Sequence, residues 1–360
     1  MVHLSALGWN SHFDACWKEL GIAGWQAARV VEEQRECYRI VGEAGEMPAE
    51  VTGRFRHQAH DPSDFPSVGD WVAINVPANA ATAMIHAVLP RRTKLSRKIS
   101  GDRDRPEHSR TMEQVLVANV DAVYIVASLN RDLNARRFER YLTAVWESGA
   151  EPVLILNKMD LCPNPEEIAS EVATVASGAS IYLVSAMTGA GLDELSRHIR
   201  SKSTIVLVGS SGVGKSTIIN RLLQFEAQPT QQIRSDDDRG RHTTSYRRLF
   251  ILPSGGILID TPGLRELQLW DSTSGLHETF DDIYELAEGC RFRDCQHDAE
   301  PGCAVRDAID GERLENYQKL KRELHHLDRR RDAAMQSAEK KIWKRTQKAL
   351  RAFYKDKNVG

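Results

Sequence analysis

Eight residues, Gly209 to Ser216, read G-x-x-x-x-G-K-S and constrain this chain more than any other stretch. They follow an apolar strand, Thr204 to Val208, and open a helix, Thr217 to Leu223. Glycines let consecutive backbone N–H groups curl around phosphate oxygens, and the helix N-terminus adds its positive end. Strand, loop and helix in that order predict a nucleoside triphosphate held at a strand end of a parallel α/β sheet. In this reading Gly209, Ser210, Ser211, Gly212, Val213, Gly214 and Thr217 surround the phosphates. Lys215 reaches the β- and γ-phosphates, and Ser216 gives its hydroxyl to Mg²⁺.

The flanking sequence has the matching texture. From Asp121, apolar strands alternate with amphipathic helices: Val123 to Val126, Arg136 to Glu147, Val153 to Leu156, Pro165 to Val175, Ile181 to Val184 and Leu192 to Ile199. That alternation predicts a parallel sheet with helices on both faces. Before it, five short strand candidates with no long helix between them suit a small antiparallel barrel, of which the OB-fold is one kind. These are Ala28 to Glu32, Cys37 to Val41, Val51 to Phe55, Trp71 to Val76 and Met84 to Leu89. A basic stretch, Arg91 to Arg110, has eight Lys/Arg against three acids and reads as a solvated loop. The expected division is 1–110 for the barrel with its preceding arm and basic linker, 111–275 for the nucleotide domain, and 276–360 for a third unit.

Asn157-Lys158-Met159-Asp160 directly follows the strand Val153 to Leu156. The Asp160 carboxylate can accept from both N1–H and the 2-amino group of guanine, a donor pair that adenine lacks. Asn157 can brace the loop, and the Lys158 stem can lie over the ring. Ser185-Ala186, after another strand, offers a backbone N–H to guanine O6. After the P-loop, Asp260-Thr261-Pro262-Gly263 ends the strand Gly256 to Ile259, where Asp260 would hold Mg²⁺ through water and the Gly263 amide would sense the γ-phosphate. Gly240-Arg241-His242-Thr243-Thr244 has the composition of a switch loop, with Thr243 or Thr244 completing the Mg²⁺ shell.

The order of these motifs is unusual. The guanine-reading pair precedes the P-loop, which predicts a circularly permuted GTPase sheet whose old termini are joined by the stretch Leu192 to Lys202. Leu264 stands where a water-orienting glutamine sits in Ras-like enzymes, so intrinsic turnover should be weak. His242, beside the switch threonines, is the candidate for orienting the attacking water.

Cys290, Cys295, His297 and Cys303 form C-x₄-C-x-H-x₅-C. Three thiolates and one imidazole satisfy a tetrahedral Zn²⁺ with no open position, so one structural zinc is expected. Cys16, Cys37 and Cys162 are dispersed and read as packing residues. The 48 basic and 50 acidic side chains nearly cancel overall, but Lys321 to Lys357 holds thirteen Lys/Arg against five Asp/Glu, a helical tail of +8. Such a tail suits phosphate contacts. No apolar run approaches the ~20 residues a membrane span needs. The N-terminus lacks a basic n-region followed by an apolar h-region.

A possible barrel, a permuted GTPase domain, a Cys-Cys-His-Cys knuckle and a basic tail together resemble the ribosome small-subunit-dependent GTPase A (RsgA) family. The most particular string is Cys295-Gln296-His297-Asp298-Ala299-Glu300-Pro301-Gly302-Cys303, and Pro66-Ser67-Val68-Gly69-Asp70-Trp71-Val72 also carries the likeness. The resemblance implies an OB-type barrel and a mostly helical zinc-binding C-terminus. It implies GTP hydrolysis with Mg²⁺, stimulated by the small (30S) ribosomal subunit late in its maturation, and contacts to rRNA. The expected setting is a cytoplasmic monomer with no membrane partner. Two other readings share these motifs: a permuted GTPase switch with a different partner, and a zinc RNA-binding protein.

Overall fold

The computed structural model describes residues 3–21, 24–34, 37–77, 80–100, 111–129, 133–176, 178–199, 201, 203–224, 247–261, 274–327 and 329. Five strands form the barrel: β1 (Gln26–Gln34), β2 (Cys37–Gly42), β3 (Gly45–Val51), β4 (Trp71–Asn75) and β5 (Ala83–Val88). They run β1-β2-β3-β5-β4, and β1 pairs again with β4 to close the cylinder, an OB-type arrangement. Alternation fills it: β2 buries Tyr38 and Ile40 and exposes Cys37 and Arg39, so Cys37 is not a packing residue. The strand expected at Val51 to Phe55 is instead the end of β3 followed by helix α2 (Gly53–Gln58). The Thr52 hydroxyl accepts from the Phe55 amide and caps that helix, a local bond that outcompetes strand propensity. Ahead of the barrel, α1 (Ser11–Leu20), capped by Asn10, packs Phe13 and Cys16 against Trp71, Leu7 and Leu89.

The segment read as a basic loop is largely a hairpin. β6 (Lys94–Ser100) pairs antiparallel with β7 (Thr111–Ala118), while residues 101–110 lie outside the described set. Three of its described cations meet carboxylates. Arg91 is bonded to buried Asp70 at 2.7 Å, Arg92 to Asp121, and Lys94 to Glu113 at 2.8 Å.

The nucleotide half of the same 11-stranded sheet contains β8 (Ala122–Ser128), β9 (Glu151–Asn157), β10 (Ser180–Val184), β11 (Thr204–Val208), β12 (Arg247–Ile251) and β13 (Ile257–Asp260), in the order β10-β9-β8-β11-β13-β12. The chain enters at β8, runs outward through β9 to the β10 edge, then returns to insert β11 on the other side of β8. Helix α5 (Leu192–His198) makes that return, as expected of the permuted order. Every residue of β8 is buried: Val123, Ile125 and Ala127 face one core, Ala122, Tyr124 and Val126 the other. Helices α3 (Ala135–Glu147) and α4 (Pro165–Val175) contribute to the first core, α5 and α6 (Lys215–Leu223) to the second.

The first core continues into the C-terminal region. Leu276 of α7 (Ser274–Thr279), Ile283 of α8 (Asp281–Ala287), Val305 of α9 (Ala304–Ala308), and Leu314, Tyr317, Leu320 and Leu324 of helical residues 311–327 all belong to it. A buried polar cluster pins the same interface. Glu139 of α3 accepts from Arg313 at 2.6 Å and from Asn316, and Arg313 is bidentate on Asp282 at 2.8 and 2.9 Å.

Barrel and nucleotide sheet are also joined. β1 pairs antiparallel with β12, placing Glu32 opposite Arg248 and Glu33 opposite Arg247, with a 3.0 Å ion pair between Arg247 and Glu33. Arg29 of β1 is buried and donates to the Leu7 carbonyl, the Gly69 carbonyl at 3.2 Å, the Asn119 carbonyl at 3.3 Å and Thr204 Oγ1 at 2.9 Å. Burial lowers its pKa to about 10, with Asp121 and Asp70 opposing the shift.

Candidate nucleotide site and metal centre

The phosphate loop leaves the fully buried strand β11 and ends at α6. Two glycines make that path sterically possible. Both Gly209 (φ 139°) and Gly214 (φ 99°) have positive φ. A Cβ would collide with the Val126 carbonyl at the first and with the Asn157 amide at the second. No side chain caps the start of α6, where Gly214 is the N-cap, so its leading N–H groups suit an anion. Lys215 folds back over the loop, donating through Nζ to the Gly209 carbonyl at 2.7 Å and the Ser210 carbonyl at 2.6 Å.

Asn157 closes β9 and is 2% exposed. Its Nδ2 donates to the Val213 carbonyl in the phosphate loop at 2.7 Å, and its Oδ1 accepts from the Ala186 amide at 3.0 Å. One side chain thus ties together the three loops that carry the nucleotide motifs. Lys158 follows in the left-handed region at φ 65° and starts the 3₁₀ turn Met159–Leu161, where Asp160 is solvent-exposed. Buried Ser185 shapes the next loop, its hydroxyl accepting from the Thr188 amide at 3.2 Å. Asp260 ends β13, the strand beside β11.

The structure therefore gathers Asn157, Lys158, Asp160, Ser185 and Ala186 with the loop from Gly209 to Thr217 at the C-terminal ends of neighbouring parallel strands. Gly263, Leu264 and the expected switch residues His242, Thr243 and Thr244 lie outside the described residues. Two arginines at the site had no motif to announce them. Arg221 of α6 donates to the Ala186 carbonyl at 3.2 Å and the Met187 carbonyl at 2.8 Å, holding the guanine-side loop. Arg137 of α3 donates to Ser210 Oγ at 2.8 Å. Both sit at helical positions with ordinary surface spacing, so only the fold brings them to the site.

The donor atoms of Cys290, Cys295, His297 and Cys303 all lie within 4.8 Å of one another. His297 Nδ1 is 3.7 Å from Cys290 Sγ and 3.4 Å from Cys303 Sγ, and the two sulfurs are 4.0 Å apart. A tetrahedron built on Zn–S bonds of about 2.3 Å has edges of about 3.8 Å, so the cluster fits a structural zinc. Burial, with Lys321 nearby, holds the His297 imidazole below its ordinary pKa and favours the neutral form a metal needs. The loop is braced around it. Gln318 donates to the His297 carbonyl at 3.1 Å, and the Glu300 carboxylate accepts from the Gln296 and Asp298 amides at 3.0 Å and from Ala299.

The family model described as RsgA GTPase matches residues 88–270, and one described as 50S ribosome-binding GTPase matches 204–341. The first spans half of the chain, from the last residue of β5 through both halves of the nucleotide site. The chain belongs to the RsgA GTPase family.

Relatives agree over nearly the full length. The Syntrophotalea carbinolica protein, named small ribosomal subunit biogenesis GTPase RsgA, is 43% identical over 346 residues, covering 94% of each chain. The protein of that name from Streptomyces coelicolor is 41% identical, covering 95% of this chain and 92% of its own. The crystal structure of YjeQ from Thermotoga maritima superposes with a TM-score of 0.60 at 27% identity, covering 83% of this chain and 98% of that one. YloQ, described as a circularly permuted GTPase, shares the fold with a TM-score of 0.60 at 22% identity, over 84% of this chain and 96% of its own. As a member of this GTPase family the chain is a GTP hydrolase, and its motif order is the permuted one.

Proposed function

We propose that this chain hydrolyses GTP during late maturation of the small ribosomal subunit, that the subunit stimulates the reaction, and that the protein contacts rRNA. The observation that carries this reading is the near-complete coverage of relatives named for small-subunit biogenesis, joined to a nucleotide site whose three loops are tied by Asn157. The match to a 50S ribosome-binding family begins at β11 and misses the β8–β10 half of the sheet, so it weighs less.

In this reading Asp160 and the Ala186 amide select guanine, and Lys215 stabilises charge on the β- and γ-phosphates. Ser216, Asp260 and one of Thr243 or Thr244 would hold Mg²⁺, which supplies charge neutralisation on those phosphates. His242 orients the water that attacks the γ-phosphorus as the bond to the β–γ bridging oxygen breaks, and Gly263 senses the γ-phosphate. Zinc on Cys290, Cys295, His297 and Cys303 is structural. The +8 tail, most of which lies outside the described residues, suits RNA phosphates. A cytoplasmic site of action follows from the role in ribosome assembly; no helix among the described residues is long and apolar enough to cross a membrane.

Steady-state GTP hydrolysis, measured alone and with purified small or large ribosomal subunits, tests the proposal. Stimulation by small subunits alone is the expected result. Equal stimulation by large subunits, or none by either, would reject the small-subunit partner while leaving the GTPase intact.

A further inference from the structure

Helix α3 makes polar contacts in two directions. Towards the C-terminal region, Arg136 pairs with Glu315 at 2.8 Å and Arg140 is bidentate on Glu323 at 2.7 and 2.9 Å, beside the buried Glu139–Arg313 pair. Towards the nucleotide site, Arg137 Nη1 donates to the Ser210 hydroxyl at 2.8 Å. Ser210 is the residue whose own carbonyl accepts from Lys215 Nζ at 2.6 Å, so the guanidinium fixes a residue that in turn aims the lysine. Asn134 caps α3 by accepting from the Arg137 amide at 3.1 Å, which fixes the first turn from which Arg137 projects.

We infer that Arg137 is a positioning residue for GTP hydrolysis, acting through Ser210 on the direction of the Lys215 ammonium. An ammonium is a compact charge on a flexible stem, and its direction here follows the carbonyls of Gly209 and Ser210. With the Ser210 side chain released, that carbonyl is no longer held from α3, and the lysine follows it. Because α3 is clamped to residues 311–327, the C-terminal region shares in setting this alignment. The inference rests on Lys215 acting on the phosphates of GTP.

The test is a double-mutant cycle on kcat for GTP hydrolysis in the full chain, with small subunits present. Arg137→Ala and Ser210→Ala should each lower kcat about fivefold, and the double variant should be no worse than either, because both remove one contact. Melting temperature should stay within about 2 °C of wild type, while affinity for a fluorescent GDP derivative, which also meets Lys215 through the β-phosphate, should fall no more than kcat does, and Arg137→Lys, which can still donate to Ser210, should recover most of the loss. A merely structural role would instead lower melting temperature, with no recovery of kcat in Arg137→Lys. Wild-type kcat in Arg137→Ala, or losses that multiply in the double variant, would overturn the inference. A wild-type protein that binds GTP without hydrolysing it would instead remove the reading on which it rests.

Discussion

Asn157 and Val213 lie 56 positions apart in sequence yet share a 2.7 Å hydrogen bond, the strand end on one side and the phosphate-loop carbonyl on the other. Because Asn157 also accepts from Ala186, a single buried amide serves both the base and the phosphate halves of the site. Asn157→Ala leaves a buried carbonyl and a buried N–H unpaired, at about 1–3 kcal/mol each. GTP and GDP affinities should therefore fall together by about tenfold or more, with kcat at saturating GTP less affected. Titration with fluorescent derivatives of both nucleotides checks this; loss of GTP affinity alone would contradict it.

Asp160→Asn tests the base assignment by changing one acceptor into a donor. Guanine presents N1–H and a 2-amino group as donors, whereas xanthine replaces the amino group with a carbonyl oxygen. The variant should lose at least about a hundredfold in GTP affinity, since mismatched donors face each other. It should bind xanthosine triphosphate better than the wild type does. Competition binding with the two nucleotides decides the matter.

The motifs were legible because each is local: a P-loop, an N-K-x-D and a Cys/His cluster carry their geometry in their spacing. The permuted order was equally legible, since it is only the order of those motifs. What sequence did not reveal depends on partners distant in the chain. Arg91 and Arg92, just ahead of β6, read as part of a solvated run because Asp70 and Asp121, which neutralise them, are 21 and 29 positions away. No motif marks Arg29, whose acceptors come from four separate segments. Helix α2 was missed because Thr52 reads equally well as a strand residue and as a cap.

Replacing His242 addresses hydrolysis rather than binding. His242→Ala should lower small-subunit-stimulated kcat by about a hundredfold, the usual scale for a positioned water-orienting group, and leave GTP affinity within about threefold. Single-turnover hydrolysis with saturating subunits provides the measurement. Retention of full stimulated kcat would return the attacking water to another residue.

Zinc removal should act on the fold before the chemistry. Cys303 is 1% exposed and packs in the core shared with α3, so Cys303→Ser should abolish stoichiometric zinc and lower Tm by at least about 5 °C. Elemental analysis and thermal unfolding, with and without a chelator, test both. Nucleotide affinity should change little, because the metal lies outside the three nucleotide loops.

Arg29→Met removes a buried cation and strands its acceptors. The expected loss is about 3–5 kcal/mol in urea unfolding, and Arg29→Lys should recover only part, since an ammonium cannot span the same four acceptors. A loss under about 1 kcal/mol would mean that water takes over those carbonyls.

The pairing of β1 with β12 has a mechanical sense. β12 begins at Arg247, three positions after Thr244 in the chain, and its first two residues are the ones hydrogen-bonded across to Glu32 and Glu33 of the barrel. The strand that follows the proposed switch residues is thus paired to the barrel. A large partner that grips the cylinder therefore holds, through β1, a strand that begins three positions after Thr244 in the chain.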